Sequence, residues 1–207
     1  MLYETHDHNY TNLVQDIKDF KENNGTDFAN EINRFIANVE LRLSKELINC
    51  PALNKHVTSS LTASDPFINK PSGLISTISL QILSTRAPLE YRDIGFINEY
   101  WPTRTTTGTP KFFANWDETY YIVAPTPSTT FSVELNYRER FDNIGSSTAT
   151  NWLTDNAYDL LLYGCLIEAS VYNKDAAQQQ VYTGRYTESL QNTKNEIALK
   201  NKSSFTG

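Results

Sequence analysis

The stretch at residues 154–172 constrains the chain most. Its centre reads Leu161-Leu162-Tyr163-Gly164-Cys165-Leu166-Ile167-Glu168-Ala169, with apolar side chains on nearly every face of a helix. A helix apolar all round is stable in water only when other elements cover it on several sides. It is too short and too interrupted to span a bilayer. The partners must come from elsewhere in the chain. Residues 11–47 offer two amphipathic helices, broken at Asn23-Asn24-Gly25, where Gly25 suits a left-handed helix end. Thr11 is the expected N-cap of the first helix, with Leu13, Val14, Ile17 and Phe20 on one face. Thr26 or Asp27 would cap the second, whose inward positions are Phe28, Ile32, Phe35, Ile36, Val39, Leu43 and Leu47. A polar helix over residues 176–201 supplies a further partner, with Ala177, Val181, Leu190 and Ile197 as its inward stripe.

Between these helical ends the period changes from 3.6 to 2. Ile78, Leu80 and Ile82 alternate with Ser79 and Gln81, and Phe131, Val133, Leu135 and Tyr137 alternate with Ser132, Glu134 and Asn136. Alternation of this kind marks strands with one buried face. The run Thr119–Ala124 followed by Pro125-Thr126-Pro127-Ser128 predicts a hairpin into the second of these strands. The expected fold class is therefore α+β. Residues 10–50 and 150–201 form a discontinuous four-helix bundle, residues 52–142 a β-rich insertion, and residues 202–207 an extended C-terminal tail.

Charge and composition exclude several functions. Acidic residues outnumber basic ones 24 to 18, a net charge of −6, and no Lys/Arg cluster stands out for gripping phosphates. Cys50 and Cys165 are far apart, which suits a reducing compartment and a soluble product of a cytoplasm. His6-Asp7-His8, with His56, is a weak metal half-site; a solvated chain end is the simpler expectation. No metal and no cofactor is expected, and the 8 glycines form no phosphate cradle. Three glycosylation-type triplets, at Asn9, Asn24 and Asn201, carry no meaning in a cytoplasmic product. Cys165 lies in an apolar helix that disfavours a thiolate. Glu90 with Asp93, or Asp117 with Glu118, are the only carboxylate pairs that a glycosidase could use, and ordinary surface acids are the expected reading. No catalytic residue is assigned. Glu168 either faces a subunit boundary or pairs with an arginine such as Arg34 or Arg42, and the ion pair is the expected reading because an unpaired buried carboxylate is costly. Trp101, Trp116 and Trp152 sit at element edges, as core anchors or as contacts for partners.

Four motifs together resemble a family. Asn151-Trp152-Leu153-Thr154, followed by Tyr158 and by Asp159 to Ala169, resembles the signature N-W-L-L-x-x-x-P-D-x-Y-L-Y-G-x-L-x-E-A of phage head-to-tail adaptors. These are the tail tubular or tail accessory proteins of short-tailed phages. Gly108 to Ala114 is similar to the family's G-x-P-x-Y-Y-A. Ile122 to Pro127 with Val133 to Arg138 resembles its L-x-L-x-P-x-P and x-L-x-Y-Y-x-R segments. Phe35 to Leu43 resembles F-I-x-x-A-E-x-R-I. The chain departs at Ala157, where proline is usual, and at Val39, where alanine is usual.

The resemblance implies a non-enzymatic virion structural protein. It would be made in the host bacterial cytoplasm and form a homo-oligomeric ring of twelve copies below the portal protein. DNA would pass through the channel during ejection without sequence-specific binding, and no membrane is involved. Lys200, Lys202 and Phe205 are the expected portal-facing residues. Trp101, Arg104 and Thr106, in the Thr-rich loop, are the expected contacts with a tail nozzle or tail tube protein. Another tail or nozzle structural protein is the alternative, and a carboxylate-dependent cell-wall glycosidase a weaker one.

Overall fold

The computed structural model describes residues 7–203, and Phe205 lies outside them. In chain order it has helices α1 (Tyr10–Phe20) and α2 (Thr26–Glu46), then a 3-10 turn at Pro51–Leu53. Strands β1 (Asn54–Leu61), β2 (Phe67–Asn69), β3 (Leu74–Ile82) and β4 (Ala87–Tyr91) follow. Helix α3 (Ile94–Tyr100) leads to β5 (Thr107–Gly108), β6 (Phe112–Asn115), β7 (Tyr120–Ala124), β8 (Thr126–Pro127) and β9 (Phe131–Glu139). The chain then closes with α4 (Trp152–Asn156), α5 (Tyr158–Tyr172) and α6 (Ala176–Ser203). This is a mixed α+β chain with six α-helices among the described residues and a large, mostly antiparallel sheet. It divides into two compact units: one from the residues up to Leu53 together with those from Arg140 onward, the other Asn54–Glu139.

In the helical unit α5 is the centre, as its apolar circumference requires. It packs against α1, α2, α4 and α6, and Leu160, Leu161, Cys165, Leu166 and Ala169 are all fully buried. Each such leucine stabilises the fold by about 2 kcal/mol through area removed from water. The expected inward face of α2 is buried throughout, from Phe28 to Leu43. The caps differ in detail. Asn9, not Thr11, caps α1 by accepting from the Asn12 amide, and Gly25 precedes α2 without a side-chain cap. The expected single helix before 172 is two, because Ala157 breaks it; α4 is opened by a capping box between Asn151 and Thr154.

Helix α6 requires a correction. Its inward side chains are Tyr182, Tyr186, Ser189, Leu190, Thr193 and Ile197, whereas Ala177 and Val181 face solvent. Apolar residues occupy two opposite sides of this helix, so periodicity alone selected a mixture of the two. The helix also continues through Lys202 to Ser203, where an extended tail was expected.

In the sheet unit the strand order is β1-β9-β3-β4-β6-β7-β2, with β5 and β8 as a separate parallel pair. β9 is the alternating strand its sequence predicts, with Val133, Leu135 and Tyr137 buried. The expected hairpin from β7 into β9 does not form. β7 pairs with β6 and β2, while β9 pairs with β1 and β3. The Pro125–Pro127 connector carries the chain from one part of the sheet to another, a long-range choice that local turn chemistry does not encode.

Candidate protein–protein contact sites

The Thr-rich loop after α3 is pinned rather than loose. Trp101 Nε1 donates to the Thr106 carbonyl at 2.9 Å, and the Thr106 amide donates to the Thr103 carbonyl at 3.1 Å. The Arg104 guanidinium lies 4.8 Å from the Trp116 ring centroid, and its Nη2 donates to Asn98 Oδ1 at 3.4 Å. Its carbonyl accepts from Thr126 Oγ1 at 2.7 Å. The structure thus gathers Trp101, Arg104 and Thr106 into one ordered loop held to β8 and to the β6–β7 turn. Arg104 and Thr106 stay exposed and Trp101 is half-buried.

Beside this loop, Phe96, Tyr100 and Phe112 pack ring on ring, with the Arg92 guanidinium 5.2 Å from Phe96. Phe67 packs against both Trp116 and Tyr120. Tyr91, Tyr100, Trp116 and Tyr120 all remain substantially exposed. Exposed aromatics flanked by arginines are the composition of interface anchors, since they bury much area at little conformational cost. An ordered surface of this kind loses little further entropy when a partner docks.

In the helical unit the expected partner of Glu168 is Arg42, at 3.2 Å between Nη1 and Oε1; Arg34 instead pairs with Glu31 one turn away on its own helix. The Arg42 guanidinium also lies 5.2 Å from the Tyr186 ring, whose hydroxyl donates to Glu46 Oε2 at 2.8 Å. Cys165 is fully buried, and burial pushes its thiol far above the ordinary value, so it is a packing residue. Trp152 stacks on Phe141 as a core anchor. His8 stacks on Tyr158 at 4.2 Å; His6, the other imidazole of the expected half-site, lies outside the described residues, and those residues contain no metal-holding cluster.

The most buried carboxylate escaped sequence reading. Glu40 is 2% exposed and sits within the apolar stripe of α2. Its Oε1 accepts from the Ile144 amide at 3.1 Å and from Asn151 Nδ2 at 2.7 Å. One turn on, Ser44 Oγ accepts from the Phe141 amide at 3.1 Å. Asn151 Nδ2 also donates to the Asp142 carbonyl at 2.7 Å. Glu40 and Ser44 therefore clamp the irregular segment after β9 onto α2, and the Asn-Trp-Leu-Thr motif is in part the receiving end of that clamp. A glutamate interrupting an apolar helix face was the available signal. Burial pushes the Glu40 carboxyl up to about 7; the Ile144 and Asn151 donors oppose that rise and Asp142 adds to it.

Three of the four carboxylates that a glycosidase could use make local structural contacts. Glu90 Oε1 accepts from Arg92 Nη2 at 2.6 Å, Asp93 caps α3, and Asp117 Oδ1 accepts the Thr119 and Tyr120 amides, each at 2.7 Å. No helix among the described residues is long and apolar enough to cross a membrane. The chain matches the SU10 adaptor protein family over residues 8–204, nearly its whole length, and belongs to that family. It is thus a phage structural adaptor-type protein, a component of the virion, in a family that is typically non-enzymatic. Comparison with curated proteins finds no match.

Proposed function

We propose that this protein is a head-to-tail adaptor of a short-tailed phage, assembling as a twelve-copy ring between portal and tail nozzle around the DNA channel. Four helices, α1, α2, α5 and α6, would form the bundle of each wedge. Family membership supports the adaptor role, and the outward face of α6 is the observation that carries the ring. Ala177 and Val181 lie on this face, with Val181 57% exposed, and one turn on an added Cβ at Gly184 would meet nothing within 4 Å. Glycine inside a helix costs about 1 kcal/mol relative to alanine, and no contact of the protomer's own requires it. A neighbouring copy approaching closely would. Residues 176–184 carry no charge, which lets two copies of net charge −6 meet there without direct repulsion. The negative balance also suits a channel through which DNA slides without being held.

Val181→Asp should abolish ring assembly with the portal, seen by negative-stain microscopy and solution mass, while the protomer melts at the wild-type temperature. Gly184→Ala should raise protomer stability by about 1 kcal/mol in urea denaturation yet weaken assembly. Rings that form normally from both variants would end this reading.

The C-terminal end of α6 is the proposed portal contact, through Lys200, Lys202 and Phe205. Lys200 pairs with Glu196 at 2.7 Å. Ile197 is buried, so a test truncation should begin after Asn201. That truncated chain should still self-assemble but no longer attach to purified portal rings; unchanged attachment would remove the claim. Trp101, Arg104 and Thr106 remain the proposed contacts to the tail.

A further inference from the structure

The link between α1 and α2 is anchored on both sides of a single residue. On the α1 side, Glu22 sits at a positive φ of 47°. Its amide donates to the Asp19 carbonyl and the Asn23 amide donates to the Lys18 carbonyl, each at 3.1 Å. These two bonds make a left-handed helix end. On the α2 side, the Ala29 amide donates to the Gly25 carbonyl at 3.0 Å. Asn23 Oδ1 bridges the two ends by accepting from the Gly25 amide at 3.0 Å. Asn24, between them, is exposed and takes part in no hydrogen bond among the described residues.

Asn24-Gly25 is also the one asparagine–glycine pair in the chain. The carboxamide carbon of an asparagine is open to attack by the main-chain nitrogen of the next residue, when that nitrogen can reach it. Three features allow the approach here. Gly25 has no Cβ to obstruct its own nitrogen, and its backbone is free to adjust. It is the N-cap residue of α2, at φ −63° and ψ 142°, so its amide lies outside the helical ladder. The Asn24 carboxamide has no bond to give up. Other asparagines are tied down: Asn9 caps α1, Asn136 bonds Ser79, and Asn151 bonds Glu40.

We propose that Asn24 is a site of spontaneous deamidation in the folded protein. Hydroxide removes the Gly25 amide proton, and the nitrogen forms a bond to Asn24 Cγ. The Cγ–Nδ2 bond breaks, and ammonia leaves with a proton drawn from water. The five-membered succinimide is then opened by one water, at either of its carbonyls, to give aspartate or isoaspartate. The reaction needs no oxidant, metal or cofactor. Each conversion adds one negative charge to a net charge of −6. The aspartate falls beside the start of α2, which has no side-chain cap and whose free amides attract negative charge. The isoaspartate instead lengthens the link by one main-chain carbon between its two anchors. Ageing copies of the chain thus come to differ in charge and in backbone at the α1–α2 link. This goes beyond the adaptor reading and does not depend on it.

The test is to incubate the purified full chain at pH 8 and 37 °C, with a second sample held in urea, and to follow the tryptic peptide 22–34 by fragmentation mass spectrometry. An unincubated sample supplies the baseline. The expected result is a gain of one dalton at Asn24, at least tenfold faster than at any other asparagine of the folded chain and within tenfold of the urea sample. Labelling by an isoaspartyl methyltransferase should appear with it. Gly25→Ala, whose new Cβ would meet only the end of the Asn23 side chain at 3.1 Å, should slow the gain at least tenfold. A native rate more than tenfold below the urea rate would mean that the anchored link is too rigid to close the ring, and would overturn the proposal. An undiminished rate in Gly25→Ala, or equal conversion at other asparagines, would overturn it as well.

Discussion

Glu40→Leu should lower the unfolding free energy by about 3 kcal/mol in urea denaturation at pH 5.5. The substitution keeps an apolar-compatible shape but removes the acceptor of two donors, the Ile144 amide and Asn151 Nδ2. The Ile144 amide then stands buried and unpaired at about 1–3 kcal/mol, and Asn151 Nδ2 keeps only its bond to the Asp142 carbonyl. The damage should not stop there. Asn151 also caps α4, its Oδ1 accepting from the Leu153 and Thr154 amides at 2.9 and 3.2 Å, so loss of its anchor should loosen the start of α4. Glu40→Gln is the contrasting case. An amide oxygen can accept from the same two donors, and the amide nitrogen replaces Oε2, which has no hydrogen-bond partner among the described residues.

The pH dependence separates these variants further. An unfolded glutamate titrates near 4.5, whereas the folded Glu40 carboxyl is pushed up to about 7. Between those values the native state holds a proton that the unfolded chain has released. The stability this group contributes is therefore complete below about 4.5 and is lost as pH rises through 7. Glu40→Gln, which cannot ionise, should match the wild type near pH 4.5 and exceed it in stability at pH 8.5. Parallel denaturation curves at the two pH values decide the matter; an equal gap at both would show that Glu40 ionises in the folded state as it does in water.

That clamp illustrates what a sequence discloses and what it hides. The stripe of α2, the apolar circumference of α5 and the alternation of β9 were legible because each is a local pattern with one physical reading. The pairing of Glu168 with Arg42 was half legible: a carboxylate on the apolar helix needed a cation, and only the fold could choose between Arg34 and Arg42. The β7–β9 hairpin was misread because the partners of β7 are β6 and β2, a matter of topology rather than turn residues. Ala177 and Val181 were placed inside because α6 has apolar residues on two sides, and periodicity cannot say which side the protomer covers. The loop residues Trp101, Arg104 and Thr106 were singled out as expected contacts, but the hydrogen bonds and ring contact that order them were not foreseeable.

Gly164→Ala should cost about 2 kcal/mol, and Val39→Ala should relieve part of that cost when the two are combined. A Cβ added at Gly164 would sit 2.6 Å from Val39 Cγ1 and 3.3 Å from its Cγ2, well inside van der Waals contact. Valine in a helix holds essentially one rotamer, so the clash cannot be relieved by a side-chain turn. Helices α2 and α5 would have to part, and overpacking of this kind costs about 1–3 kcal/mol, more than the roughly 1 kcal/mol that alanine gains over glycine in helix propensity. Val39→Ala alone leaves a small cavity and should cost about 2 kcal/mol. Together the two substitutions add one methyl at residue 164 and remove two at residue 39, among them the Cγ1 that clashes, so the double variant should be more stable than the sum of the singles predicts by about 1 kcal/mol or more. The adaptor signature that this chain resembles carries alanine where Val39 stands. The contact with Gly164 therefore turns that departure into a packing statement: the valine is tolerated because residue 164 has no side chain. Additive losses in the double-variant cycle would mean that α2 and α5 do not approach here, and with that the close seat of α5 against α2 would be wrong.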